Sequence, residues 1–180
     1  DGEGEIVAVT DNYPNGSTGW TYAYHTDGTL LPGFPAMTAG DHTKSPTVVD
    51  LFGDGTCEII VSDRDYPIGR VYLFSGIGQI QPGWPIPIDH VPAASAGAAD
   101  LNNDGSEDIA VANYYDALVF LNNGDGTFQS AVSYDVGDEA GIETAQLGRF
   151  IVETTLTVDR YLHPFQSIVY RAALVEQVAF

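Results

Sequence analysis

The chain is short of several residue types, and each shortage excludes a class of protein. It has one cysteine, Cys57, in 180 residues, so no disulfide can form within the chain and a disulfide-rich scaffold is excluded. Six Lys and Arg residues stand against 25 Asp and Glu, a formal net charge of −19. This argues against nucleic-acid binding, because neutralising phosphates requires basic side chains. No apolar run approaches the ~20 residues that span a bilayer, so we expect no membrane insertion.

Oxygen-bearing side chains are concentrated in one decapeptide, DLNNDGSEDI, at residues 100–109. Loop positions 1, 3, 5 and 9 carry these side chains, which belong to Asp100, Asn102, Asp104 and Asp108. Position 7 is Ser106, which offers its backbone carbonyl. Gly105 at position 6 permits the sharp turn that such a loop needs. Hard cations bind oxygen cages of this kind, and three carboxylates so close together repel one another without a cation between them. The decapeptide therefore predicts a Ca²⁺ site.

The segment after the loop decides which kind of calcium site is expected. An EF-hand needs a bidentate acid at position 12 and a helix on each side. Position 12 is Val111, and the run IAVANYYDALVFL that follows residue 108 is rich in β-branched and aromatic residues, which predicts strands. The EF-hand is excluded, and a loop that leads directly into a strand is expected instead.

A second, weaker loop begins at Asp50. It keeps acids at positions 1, 5 and 9 (Asp50, Asp54 and Glu58) and offers the backbone carbonyl of Thr56 at position 7. Phe52 stands at position 3 and supplies no ligand, so this site is expected to be weaker, completed by water or empty. Cys57, at position 8, is interpreted as a bystander and not as a nucleophile or a ligand.

The loop and the segment after it recur along the chain. Residues 104–109 (DGSEDI) repeat residues 54–59 (DGTCEI) at a spacing of 50 residues. Residues 1–6 (DGEGEI) repeat the same pattern 53 residues before residue 54. The segments IVAVTDN, IIVSDRD and IAVANYY follow in step. Each unit is predicted to contain loop, strand, turn, strand, glycine-rich turn and strand. Repeats of this length with several strands each are typical of an all-β propeller, with one repeat per blade.

These motifs resemble the FG-GAP and VCBS repeats of integrin α-chain propellers and of many secreted bacterial proteins. The stretch LNNGDGTFQSAVSYDVG from residue 121 is similar to a VCBS repeat ending, and the PGFP and PGWP segments resemble blade ends. The resemblance covers about residues 1–145, divided into repeats 1–49, 50–99 and 100–145. It implies blades of four antiparallel strands, one calcium ion per well-formed loop, an extracellular or cell-surface location and a binding face made by inter-strand loops.

Residues 146–180 depart from the repeat. Gln146 replaces the acid at position 1, so no calcium site is expected there, and the segment is interpreted as a degenerate blade or a capping element. Propellers close with four to eight blades, and about three fit in this sequence. The sequence begins at what would be loop position 5, without a signal peptide. We therefore expect either part of a larger propeller or a unit that associates with further blades or with itself.

The expected function is non-enzymatic recognition of a carbohydrate or protein ligand, with Tyr114 and Tyr115 as the predicted contact residues. One alternative is the propeller portion of a secreted polysaccharide lyase, phytase or other hydrolase, and another is a structural spacer. The histidines form no recognised catalytic spacing, and His42 and His90 are interpreted as residues of the connections between blades. Trp84 and Phe34 share one repeat position, which favours a structural role over sugar stacking.

Overall fold

A computed structural model of the chain describes residues 4–10, 18–42, 44–135, 142–146 and 155–158. These residues form thirteen β-strands and no helix. The described residues therefore contain no helix long and apolar enough to cross a membrane. The strands are β1 (Glu5–Thr10), β2 (Trp20–His25), β3 (Ala36–Met37), β4 (Thr47–Val49), β5 (Glu58–Asp65), β6 (Ile68–Phe74), β7 (Ile86–Ile88), β8 (Gly97–Ala99), β9 (Asp108–Ala112), β10 (Asp116–Phe120), β11 (Val132–Asp135), β12 (Ile142–Gln146) and β13 (Thr155–Val158).

The strands form antiparallel sheets that recur with the repeats. Sheet 1 has the order β1-β2-β3, sheet 2 the order β4-β5-β6-β7, and sheet 3 the order β8-β9-β10-β11. The first strands of sheets 2 and 3, β4 and β8, come from the last three residues of the preceding repeat. A fourth sheet pairs β12 with β13. Neighbouring strands in each sheet follow one another in the sequence, as in the blades of a propeller. The prediction of an all-β partial propeller is confirmed.

The number of strands per sheet was predicted correctly for two of the three repeats. Sheets 2 and 3 have four strands each, whereas sheet 1 has three. β1 corresponds by repeat position to β5 and β9, the second strands of their sheets, and no described strand pairs with its other edge. Of residues 146–180, only Gln146 and β13 are described, so most of the segment interpreted as a degenerate blade or a capping element lies outside the described residues.

Apolar side chains pack between adjacent sheets. Sheets 2 and 3 enclose one core cluster, whose buried members are Leu51, Ile60, Val71, Leu73, Trp84, Ile88, Ala96, Ile109, Val111 and Phe120. A second cluster joins sheets 1 and 2, with Ala23, Phe34, Ala36, Ile59, Val61, Tyr72 and Phe74 buried. Alternate residues of β5 belong to different clusters, because successive side chains of a strand point to opposite faces. Sheet 2 is thus covered on both faces.

The antiparallel order gives the sheets two ends that carry different kinds of connection. The loops 50–58 and 100–108 join the first strand of a sheet to the second, so they lie at one end, here called the loop end. The β5–β6 and β9–β10 hairpins and the connections between sheets lie at the other, here called the hairpin end. The first strands, β4 and β8, occupy the three residues directly before each loop.

Trp84 packs between sheets 2 and 3 through two aromatic contacts. Its ring lies 5.7 Å from that of Phe120 and 5.5 Å from that of Phe128, centroid to centroid, and the residue is 9% exposed. Phe34, at the same repeat position, is equally buried in the other cluster. The predicted structural role of both residues is confirmed.

Replacing Trp84 by alanine should lower the free energy of unfolding by about 3–5 kcal/mol, because it removes a large buried side chain and leaves a cavity between two sheets. Urea denaturation followed by circular dichroism measures the loss. Tyr66→Ala is the matched control, since Tyr66 is 86% exposed and its removal should change stability by less than about 0.5 kcal/mol. Equal effects of the two substitutions would contradict the assignment of Trp84 to the core.

Candidate functional site

The two predicted loops share one backbone conformation. Position 4 has a positive φ in both, 65° at Gly53 and 59° at Asn103, and so has position 6, 86° at Gly55 and 92° at Gly105. Glycine adopts such angles freely, and asparagine is among the few other residues that tolerate them. The loop at Asp50 therefore keeps the fold of its better-matched counterpart although its sequence diverges.

The carboxylate at position 1 organises each loop from inside. Asp100 accepts the N–H groups of Asp104 at 3.1 Å and of Gly105 at 3.0 Å. Asp50 accepts the N–H groups of Asp54 and Gly55 at 3.1 and 2.9 Å. An aspartate that binds backbone N–H groups ahead of itself stabilises a tight turn. The position 1 side chains thus draw the loop backbone around themselves.

The carboxylate at position 9 closes each loop at its base. Glu58 is 2% exposed and accepts the N–H of Leu51 at 3.1 Å, while Asp108 is fully buried and accepts the N–H of Leu101 at 2.9 Å. Burial is the main cause that raises the pKa of Glu58 to about 6, and the charges of Asp54 and Asp50 contribute to this rise. The pKa of Asp108 is raised by burial and, to a lesser extent, by the charges of two other loop acids. Both loops therefore hold a buried carboxylate among like charges.

The position 5 carboxylates are exposed and bind the residue two places ahead. Asp104 accepts the N–H of Ser106 at 2.8 Å, and Asp54 accepts that of Thr56 at 2.8 Å. The side-chain amide of Asn102 donates to Asp104 and is the largest cause of its lowered pKa. The hydroxyl of Thr56 is the corresponding cause for Asp54.

Position 3 distinguishes the loops. Asn102 Oδ1 accepts the N–H of Asp104 at 2.9 Å, so its oxygen lies within the loop. Phe52 instead packs against the core cluster between sheets 2 and 3, and its ring lies near Gly126 in the β10–β11 connection. The loop at Asp50 therefore lacks one side-chain oxygen and has an additional apolar contact.

Asn122 was missed by sequence reasoning. It is 1% exposed, and its amide Nδ2 donates to the carbonyl of Leu51 at 2.9 Å and to that of Glu107 at 3.1 Å. Its backbone N–H donates to Asp108 Oδ1 at 2.8 Å. The only sequence signal was its position in a glycine-rich turn, where sheet 2 has Gly76. Asn122 therefore contacts both loops at once.

The donors in both loops are oxygen atoms of carboxylate, amide and carbonyl groups, which is the chemistry that Ca²⁺ selects. Within the described ranges, no three His, Cys, Asp or Glu side chains are grouped so that they could hold a metal ion. Several of the carboxylate oxygens are directed instead at N–H groups of the loops themselves. The donor set fits calcium, and the observed arrangement is the one in which the loop satisfies its own acids.

Tyr114 and Tyr115 lie at the hairpin end, away from the loops. They are 49% and 41% exposed, and the ring of Tyr115 contacts that of His90 at 4.5 Å between centroids. Asn113, fully buried below them, accepts the N–H groups of Tyr115 and Asp116 at 2.8 and 2.7 Å. The turn that carries the exposed tyrosines is therefore held by a buried anchor.

Two further residues from the sequence analysis are His42 and Cys57, which lie in a connection between sheets and in a loop, respectively. His42 lies in the connection before β4 as expected, but it is 3% exposed and its ring is bound to Thr38 Oγ1 and the Ser62 carbonyl at 2.9 and 3.1 Å. It therefore packs the connection and does not line a surface. Cys57 lies in the loop at Asp50 as an exposed free thiol. Partial burial is the main cause that raises the pKa of this thiol.

The raised pKa of Glu58 has a consequence for stability without calcium. The unfolded chain ionises this group near 4.5, below its folded pKa of about 6, so the folded state is disfavoured as the pH rises through this window. In chelator, acidification from pH 7 to pH 5 should therefore increase the unfolding free energy by about 1 kcal/mol from this residue. Urea denaturation at both pH values measures the change.

Glu58→Gln is the control for that experiment, because the amide cannot ionise but occupies nearly the same volume. The difference between the two pH values should be about 1 kcal/mol smaller in this variant than in the parent. The acids with lowered pKa values lose their contribution below about pH 4 and leave the window unaffected. An identical pH dependence in both proteins would rule out Glu58 as its source.

Comparison with known proteins identifies the repeats. The family model described as FG-GAP-like repeat matches residues 50–111 and 100–150, each match beginning at the position 1 aspartate of a loop. No curated protein and no solved structure matches the chain. The two matches together cover more than half of the 180 residues. The chain therefore belongs to the FG-GAP-like repeat family.

Proposed function

We propose that this propeller-like module binds calcium in the loops at Asp50 and Asp100 and recognises a carbohydrate or protein ligand at its hairpin end. The ion has a structural role, and the module belongs to a secreted or cell-surface protein. Recognition, not catalysis, is the activity. The single observation that carries the calcium assignment is the burial of Glu58 and Asp108 among further carboxylates of the same loops.

Electrostatics supports a cation at each loop. A carboxylate is costly to bury unless a positive charge or hydrogen bonds compensate it. Glu58 accepts a hydrogen bond from one backbone N–H group and Asp108 from two. Among the described residues, every Lys and Arg lies at the opposite end of the sheets. A divalent ion supplies the missing charge. Because the exposed carboxylates bind N–H groups of the loop, uptake of the ion includes rotation of these side chains toward it.

The proposed ion stabilises the fold by binding the native state and not the unfolded chain. It neutralises the mutual repulsion of Asp100, Asp104 and Asp108 and fixes the turn from β8 into β9. Extracellular calcium modules commonly have dissociation constants of about 10⁻⁴–10⁻³ M, which matches the calcium level outside cells. This is the basis for the proposed location.

Asp104→Ala should abolish most of the stabilisation that calcium gives to the parent chain. Thermal unfolding recorded from chelator to a few millimolar calcium measures it, and the parent midpoint should rise by several degrees over this range. Asp125→Ala is a matched control, since Asp125 is an exposed aspartate in a Gly-Thr turn outside the loops. Its calcium response should equal that of the parent. A parent midpoint indifferent to calcium would refute the metal assignment.

The hairpin end has the composition of a recognition surface. Exposed tyrosines occur on both hairpins, with Tyr66 at the tip of one and Tyr114 and Tyr115 on the other. Gly69 of the β5–β6 hairpin lies close to the carbonyl of His90, and the ring of His90 contacts Tyr115 of the other hairpin, so the connection at His90 lies between the two hairpins. Tyrosine provides a large, rigid contact area with a polar tip, which suits both sugar rings and protein partners.

Charge also differs between the two ends. The basic residues among those described are Lys44 in the connection to β4 and Arg64 and Arg70 on the β5–β6 hairpin, all at the hairpin end. Arg70 binds Asp65 at 2.8 Å and Arg64 lies 3.8 Å from Asp41, so both guanidinium groups are positioned by neighbouring acids. Positioned charged groups beside exposed rings provide hydrogen-bonding specificity for a ligand.

Tyr115→Ala should weaken ligand binding about tenfold or more, since a stacked aromatic ring is lost from the proposed surface. Binding is measured in calcium by retardation in native gels containing soluble polysaccharide and by a glycan array, with depletion of substrate followed in parallel. Tyr134→Ala is the control, because Tyr134 is 39% exposed on β11, outside the two hairpins. Substrate depletion by the parent protein would contradict the proposed function and favour the hydrolase or lyase alternative.

A further inference from the structure

Asn122 links the two loops by direct contacts. Its Nδ2 group binds the carbonyl of Leu51, at position 2 of one loop, and the carbonyl of Glu107, at position 8 of the other. Its own Oδ1 accepts the N–H of Gly124 at 3.0 Å. The side chain is thus satisfied on both its donor and acceptor sides. It belongs to neither candidate ligand set, and nothing in the proposed calcium coordination requires it.

These bonds form part of a continuous chain between the two position 9 carboxylates. Glu58 Oε2 accepts the N–H of Leu51, the carbonyl of Leu51 accepts from Asn122 Nδ2, and the N–H of Asn122 donates to Asp108 Oδ1. All four residues are at most 2% exposed. Because water does not reach this chain, a change in the position of one member cannot be compensated by solvent and is passed to the next.

The surrounding packing makes this chain rigid. Leu51 is buried in the core cluster between sheets 2 and 3, together with Ile109, which follows Asp108, and Phe120, which lies two residues before Asn122. Phe52 packs against the same cluster. The two loops are therefore supported by one set of apolar contacts as well as by one set of hydrogen bonds.

From this arrangement we infer that the two loops bind calcium cooperatively, with Asn122 as the residue that couples them. The inference rests on the proposed calcium binding. An ion at Asp108 fixes the carboxylate that holds the N–H of Asn122, and Asn122 then holds the carbonyl of Leu51 in place. The N–H of Leu51 and the Glu58 carboxylate are thereby held in position before the ion of the Asp50 loop arrives, so binding in that loop requires less rearrangement.

The coupling acts in both directions. Linkage requires that the ion in either loop raises the affinity of the other by the same factor, and couplings between sites are commonly about 5–150-fold. The loop with Phe52 has fewer side-chain ligands and fills second. Its occupancy then depends on the Asp100 loop, which explains how a loop without an oxygen at position 3 can remain a calcium site.

Isothermal titration calorimetry of the chelator-stripped chain with CaCl₂ tests the inference. Asp104→Ala disables the Asp100 loop and so reports the Asp50 loop by itself, and Asp54→Ala likewise reports the Asp100 loop by itself. The Asp50 loop should bind calcium at least fivefold more weakly in Asp104→Ala than in the second binding step of the parent, whereas the Asp100 loop in Asp54→Ala should keep the constant of the parent's first step. A constant of the Asp50 loop equal to that of the parent's second step overturns the coupling, whereas absence of calcium binding in the parent overturns the proposed function as well.

Asn122→Ala tests the coupling residue. The substitution keeps the backbone N–H that binds Asp108 and removes the side-chain bonds to Leu51, Glu107 and Gly124. In this background, adding Asp104→Ala should leave the constant of the Asp50 loop unchanged. Asn123→Ala is the matched control: it removes an adjacent asparagine that binds only Thr127, at 2.9 Å, and should retain the parental coupling.

Circular dichroism in chelator establishes that each variant is folded before titration. If Asn122→Ala does not fold, the comparison of Asp104→Ala with the parent still decides whether the loops are coupled. Retention of the full coupling in folded Asn122→Ala would overturn the role of this residue.

Discussion

The carboxylate that closes each loop at position 9 is the interaction on which the remaining structure depends. Asp108 pairs across to Ala99 at the end of β8, begins β9 and binds the start of its own loop through the N–H of Leu101. Glu58 has the same three roles with Val49, β5 and Leu51. One buried acid therefore sets where the loop ends, where the strand begins and how the first two strands of a sheet are aligned.

The two loops show which positions determine loop shape. Position 3 is an oxygen donor in one loop and a phenylalanine in the other, yet the left-handed residues and the bonds from positions 1, 5 and 9 are the same in both. Loop shape therefore depends on turn-forming aspartates and on glycine, whereas position 3 is free to change its partner. Phe52 has done so by joining the core between sheets.

Features set by neighbouring residues could be predicted from the sequence. The loops, the strands that follow them and the aromatic position of Trp84 all recur at similar spacing in the sequence. This recurrence distinguishes a structural pattern from a chance one. Asn122 could not be found in this way, since its bond to Leu51 spans 71 residues and its partners are backbone carbonyls, which carry no sequence signal. The burial of His42 likewise depends on Ser62, in the following repeat.

The placement of Lys44, Arg64 and Arg70 has a consequence for how the molecule approaches other bodies. The acids of both loops lie at one end of the sheets, and the described cations lie at the other beside acids such as Asp41, Asp63 and Asp65. The loop end is therefore the more negative, and the described residues form an electric dipole along the strands. Near a negatively charged surface, such a dipole turns its tyrosine-bearing end forward, over distances of about a Debye length. Divalent ions bound as proposed above would lower its strength and leave orientation to short-range contacts.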